Sequence, residues 1–137
     1  MSEEPTKSDL AAVAAFTERF EASGFSPGEW VKARKREDGV IVMGWWSASP
    51  EVAEWHHALY DHNIIDPDCD YLSESTRELV ERLLDDPSLI AELDLPTVRR
   101  VLTCISRTDR FVEGSLAGAF ESGIAQAATR RLGKIAE

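Results

Sequence analysis

Most of the features that betray an activity in a sequence are missing from these 137 residues. Two cysteines, Cys69 and Cys104, stand far apart in no metal or redox spacing, which argues against a disulfide framework or zinc ribbon and fits reduced thiols in a cytoplasmic protein. The longest apolar runs, Leu10–Phe16 and Val40–Trp46, are far short of the roughly 20 residues a membrane-spanning helix needs. Residues 1–9, MSEEPTKSD, lack the basic and apolar character of a secretory leader. There is no glycine-rich phosphate loop, no GxSxG elbow, no internal repeat and no low-complexity tract. Basic residues are also few, 15 against 25 acidic ones, for a net charge of −10. Phosphate binding needs clustered cations, so direct nucleic-acid binding is not expected.

The acidity is uneven. Residues 47–95 hold 13 acidic and 2 basic side chains, whereas residues 96–137 hold 4 acidic and 7 basic ones. A strongly acidic middle thus leads into a mildly basic end. The length suits one domain able to bury about two-thirds of its unfolded surface. Residues 1–8 read as a disordered tail and 9–137 as a single globular unit.

Periodicity predicts mostly helices. Leu10, Val13, Phe16, Thr17 and Phe20 share one helical sector, ended by Ser23-Gly24. Ser26-Pro27-Gly28-Glu29 reads as a turn into a strand. Asp38-Gly39, between Trp30-Val31 and Val40–Trp46, suggests a β-hairpin, although a helix over Pro27–Arg36 competes with it. The basic run Lys32–Arg36 on that hairpin would keep its edge solvated. Ser49-Pro50 opens a helix with Val52, Trp55 and Leu59 inward and Asn63 at its close. Ser73 caps a helix with Thr76, Leu79, Val80, Leu83 and Leu84 inward, broken at Asp86-Pro87. Asp94 and Pro96 start another, with Val98, Val101, Leu102 and Ile105 as its core face.

Residues 110–132, RFVEGSLAGAFESGIAQAATRRL, form the stretch around which the chain is organised. Between Gly114 and Thr129 it carries one charge, Glu121. Leu116, Ala119 and Phe120 share one side of a helix, while Gly114, Gly118 and Ser122 line the other at four-residue steps. That pattern predicts a central Gly-rich helix buried on both sides, with Gly123 as its stop and Ile124, Ala128, Leu132 and Ile135 marking the next helix. The fold class expected is mainly α with a small β-hairpin (α+β), a compact helical bundle.

Two metal patterns fail on inspection. His56 and His57 project about 100° apart and cannot share a metal, and a Glu54–His57–Asp61 row would need ligands from elsewhere. Asp66–Asp70 begins like a calcium loop, but Tyr71 and Arg77 stand where that loop needs Gly and Glu. No metal or other cofactor is expected.

Several pieces together resemble a bacterial family of small proteins, domain-of-unknown-function family 6508. They are Gly28-Glu29-Trp30-Val31, Val42-Met43, Ser49 with Val52, and above all Arg110-Phe111-x-Glu113-Gly114, continuing through Leu116, Phe120-Glu121-x-Gly123 and Arg131-Leu132. The similarity spans about residues 25–135. The family pattern often has Cys where Val112 stands and Pro where Gly44 stands, so no reactive thiol is carried over. The resemblance implies a cytosolic bacterial protein and no known chemistry.

Three functions compete. A non-enzymatic protein-interaction module, binding a protein partner or a second copy as a homodimer, follows from the acidic middle, the glycine face and four tryptophans, with Trp45 and Trp46 as candidate contacts. A DNA-mimicking inhibitor would use the acidic middle as surrogate phosphates. An enzyme or small-ligand pocket would use Glu121, Arg110 and Glu113, with Glu121 as a base of raised pKa. Against the pocket, Glu121 is read as half of a buried ion pair with Arg110 or Arg107, and no nucleophile–base pair or metal set is recognisable beside it. The interaction module is preferred.

Overall fold

The computed structural model describes residues 4–109 and 114–137. The chain opens with α1 (Lys7–Ala14) and α2 (Phe16–Glu21), which Ala15 joins in right-handed helical geometry. Thr6 and Asp9 form a capping box at the start of α1, each side chain accepting the other's backbone N–H. The expected sector turns inward, with Leu10, Val13 and Phe20 buried.

The hairpin is present and the competing helix is not. Strands β1 (Gly28–Val31) and β4 (Trp45–Ala48) pair antiparallel, and so do β2 (Arg34–Lys35) and β3 (Ile41–Val42). Gly28 lies opposite Ala48 and Lys35 opposite Ile41, so one register runs through both ladders. The Arg36 N–H donates to the Val40 carbonyl across the turn, which Gly39 negotiates at φ +86°.

The remaining elements are α3 (Pro50–Asp61), α4 (Glu74–Asp85), a 3-10 turn (Pro87–Glu92), α5 (Leu95–Thr108), α6 (Ser115–Ser122) and α7 (Ile124–Ala136). Their starts are those the sequence announces. Ser49, Ser73 and Asp94 each accept a backbone N–H from the first helical turn, and Pro follows in the first turn of α3 and α5. Asn63 takes a positive φ just past α3. Val98, Val101, Leu102 and Ile105 of α5 are all buried, as are Val52, Trp55 and Leu59 of α3. On α4 the inward face is narrower than its periodicity suggests: Thr76 and Leu83 are buried, and Leu84 is exposed.

Of the two helices in the organising stretch, α7 makes the broader set of contacts, packing on α1, α2, α5, α6 and the 3-10 turn. The α6 helix lies against α5, α7 and α4 and buries Leu116, Ala117, Ala119 and Phe120. Gly123 ends it at φ +95° and begins α7, as expected of a left-handed stop.

The glycine stripe is not the second buried face that the sequence suggested. Gly114 lies before the helix, at φ +94°, and a β-carbon there would stand 2.9 Å from Cη2 of Trp30. Its missing side chain makes room for an indole, not for another helix. A β-carbon on Gly118 would meet nothing within 4 Å; the residue borders a shallow apolar hollow of about 290 Å³ lined by Leu84 and Ile105. Small residues at helical spacing indicate where a neighbour could approach, and here none does.

Gly118→Ala should therefore stabilise the protein by about 0.4–1 kcal/mol, by restricting the unfolded chain and favouring helix. Gly123→Ala should destabilise it by about 1–2 kcal/mol through left-handed strain. Urea denaturation of both variants checks the pair of opposite signs. The caps give a pH prediction. The Thr97 side chain and N–H hold the Asp94 carboxyl below its ordinary value, as the Thr6 N–H and then His62 do for Asp9. Stability from such depressed carboxyls is present above their unfolded pKa and is lost as pH falls through the lower folded value. Asp94→Asn caps without titrating, so its urea midpoint should fall less than the parent's between about pH 5 and pH 2.

Candidate functional site

Two features of the surface stand out, and both include residues of β4. The first is the hairpin. Successive strand residues face opposite ways and cross-strand partners share a face. Trp30 and Trp46 are partners, as are Val31 and Trp45. Trp46 packs against the core, whereas Trp45 is 43% and Trp30 54% exposed. Toward the turn, Val40, Ile41 and Met43 stand 51%, 66% and 75% exposed. Lys32, Arg34, Lys35 and Arg36 are exposed among them, and Arg36 pairs with Asp38 at 3.0 Å.

The second is a cleft of about 450 Å³ between β4, α3, α5 and the start of α6. Trp46, Val52 and Leu116 supply apolar wall; His56, His57, Tyr60, Ser106 and Asp109 supply the polar lining. His56 and Tyr60 are four residues apart on α3 and so share a helix face. Both reach the Ser106 hydroxyl on α5, His56 through Nε2 at 2.6 Å and Tyr60 through its hydroxyl at 3.1 Å. Ser106 is buried, and these two side chains satisfy its polar atom. The Arg107 guanidinium lies 5.8 Å from the centre of the Tyr60 ring. At the end of α5, Asp109 Oδ1 accepts the Leu116 N–H at 3.0 Å, tying the end of α5 to the first turn of α6.

The residues singled out in the sequence are dispersed. Arg110 and Glu113 lie outside the described residues. Glu121 is exposed near the end of α6, not buried as expected, and makes no ion pair with Arg107 or any other described residue. The single charge in an apolar run projects outward because the helix has a free side at that position. Trp45 and Trp46 take opposite faces of β4, and only Trp46 enters the cleft. The Ser106–His56 contact was not legible in the sequence: the two lie 50 residues apart and neither stands in a motif.

The other titratable clusters have structural duties. His62 Nδ1 and Asp9 Oδ1 lie 3.0 Å apart, linking α3 to α1. In the acidic loop, Asp66 Oδ1 accepts the Asp68 N–H, and the Asp66 N–H donates to buried Thr103. Burial, followed by the charge of Asp66, pushes the Cys69 thiol up and lowers its reactivity. Among the described residues no three His, Cys, Asp or Glu side chains converge as a metal site. No helix there is long and apolar enough to cross a membrane.

The architecture is thus a mainly α protein carrying one exposed hairpin beside a polar-floored cleft. The chain belongs to a family described as a family of unknown function (DUF6508), which it matches over residues 5–137. Nothing matches it among curated proteins or solved structures.

Ser106→Ala removes the hydroxyl shared by His56 and Tyr60 and should cost about 1–3 kcal/mol. Tyr60→Phe leaves the serine its His56 partner and should cost less, about 0.5–1.5 kcal/mol. Denaturant titration of the two variants checks the order.

Proposed function

We propose that this protein is an interaction module whose contact surface is the hairpin. The observation that carries the reading is that Ile41, Met43 and Trp45, at alternate positions along one arm of the hairpin, are all exposed, with Val40 exposed at the turn and Trp30 on the opposite face. Exposed apolar patches of this kind mark protein contact sites on soluble domains. A two-stranded hairpin also has two open edges able to accept a further strand. Two exposed tryptophans add the residue type most enriched where binding energy concentrates.

The hairpin's four cations outnumber its three exposed acids, Glu29, Glu37 and Asp38, by one, and with its apolar side chains this favours a partner surface that is acidic and carries apolar side chains. The chain itself has one. Leu72, Leu84 and Leu89 are exposed amid the exposed acids Glu74, Glu78, Glu81, Asp85 and Asp86. A second copy is therefore the partner that the protein's own surface fits. Two reciprocal contacts would close a dimer, and an unreciprocated one would continue from copy to copy.

Sedimentation velocity over a concentration series tests this. Association should appear at low salt and weaken at high salt, because exposed charges are screened. The double variant Ile41→Ser, Met43→Ser should remain folded, since both side chains are already exposed, and should lose association by roughly tenfold or more, about 1.4 kcal/mol. A strict monomer at every concentration and salt, or a double variant that associates like the parent, overturns the reading.

A further inference from the structure

We propose that the cleft between β4, α3 and α5 is a binding site for a small organic cation with an apolar body, of the arylalkylamine class. This is separate from the hairpin reading and rests on the cleft's lining alone.

Size and layout come first. A volume of about 450 Å³ is in the range of small-molecule sites. The lining combines apolar side chains, Trp46 with its aromatic surface, Val52 and Leu116, with polar ones. The polar part is held in place by its own hydrogen bonds. Ser106 ties His56 and Tyr60 together, so these side chains are ordered before any ligand arrives. Preorganisation of that kind lowers the cost of binding. A ligand that fits has an apolar part about the size of a ring and a polar head.

The sign of the head follows from charge. Among the described residues Asp109 is the only lining residue with a fixed charge, and neither lysine nor arginine lines the cleft. Its carboxylate is oriented through Oδ1 by the Leu116 N–H, and Oδ2 has no hydrogen-bond partner among the described residues. An ammonium group donates to such an oxygen with charge assistance. The Tyr60 hydroxyl oxygen is a further acceptor within the same lining. The face of Trp46 favours a cation, whereas the Tyr60 ring already has the Arg107 guanidinium over it. A net charge of −10 raises the local concentration of cations over the whole surface. A carboxylate or phosphate head would meet the Asp109 charge, with no lysine or arginine among the described lining residues to offset it.

The test uses three ligands that share one ring: 2-phenylethylamine, 2-phenylethanol and phenylacetate, cationic, neutral and anionic at slightly alkaline pH. Each is titrated into the full chain and followed by protein NMR shifts or calorimetry. The amine should bind saturably, roughly tenfold or more tighter than the alcohol, and phenylacetate should bind weakest. Asp109→Asn keeps the Oδ1 acceptor for Leu116 and removes the charge. It should weaken the amine by roughly tenfold and leave the alcohol unchanged. Trp46→Leu should weaken amine and alcohol alike. The proposal is overturned if the amine shows no saturation at millimolar concentration, if the alcohol or phenylacetate binds as tightly as the amine, or if Asp109→Asn retains full amine affinity. The ligand series on the parent protein decides the matter even where a variant does not fold. Loss of the hairpin association leaves this outcome untouched.

Discussion

The buried indole of Trp55 holds the fold together. It is fully enclosed, and its Nε1–H donates to Thr129 on α7 at 3.0 Å, while the threonine hydroxyl donates onward to the Ala125 carbonyl. A buried indole N–H left without a partner would cost about 1–3 kcal/mol, so a threonine is needed at this point of an otherwise apolar helix face. Around the indole, Phe20 and Phe120 meet it edge-on at 6.1 and 5.2 Å and meet each other at 5.2 Å. These contacts bring α2, α3, α6 and α7 to one point. Edge-to-face pairs contribute about 0.5–1.5 kcal/mol each beyond the area they bury.

Placing α3 in this way decides what its other face can do. With Trp55 turned into the core, His56 is rotated by about 100° toward α5, and Tyr60, one turn later, follows it. Ser106 sits on the α5 side that meets them, because Val98, Val101, Leu102 and Ile105 occupy the side facing the core. The polar floor of the cleft is thus a by-product of packing a large aromatic residue one position earlier. Its opposite wall, Trp46, is in place because the hairpin register puts that indole on the inward face.

The surface divides in a complementary way. The hairpin carries apolar side chains among cations, and the region from Leu72 to Leu89 carries leucines among acids. In the self-association proposed above, these two surfaces are the complementary halves of one contact. The short range of screened charge leaves the final affinity to the apolar side chains and gives the cations a role in selection.

Local chemistry was enough to read most of the helical frame from sequence. Ser49, Ser73 and Asp94 cap because a side-chain oxygen beside free N–H groups is a local arrangement, and Gly123 stops α6 because only the backbone at that residue must turn left-handed. Asp38-Gly39 marked the hairpin for the same reason, and apolar spacing identified the inward faces of α3 and α5. Periodicity states that a face is apolar or small; it does not state what lies opposite. Gly114 therefore looked like a seat for a helix and receives the Trp30 ring, Gly118 looked packed and faces open space, and Glu121 looked buried and is exposed. The meeting of Ser106 with His56 and Tyr60 depends on how two helices far apart in sequence are set against one tryptophan, and only the tertiary structure decides that.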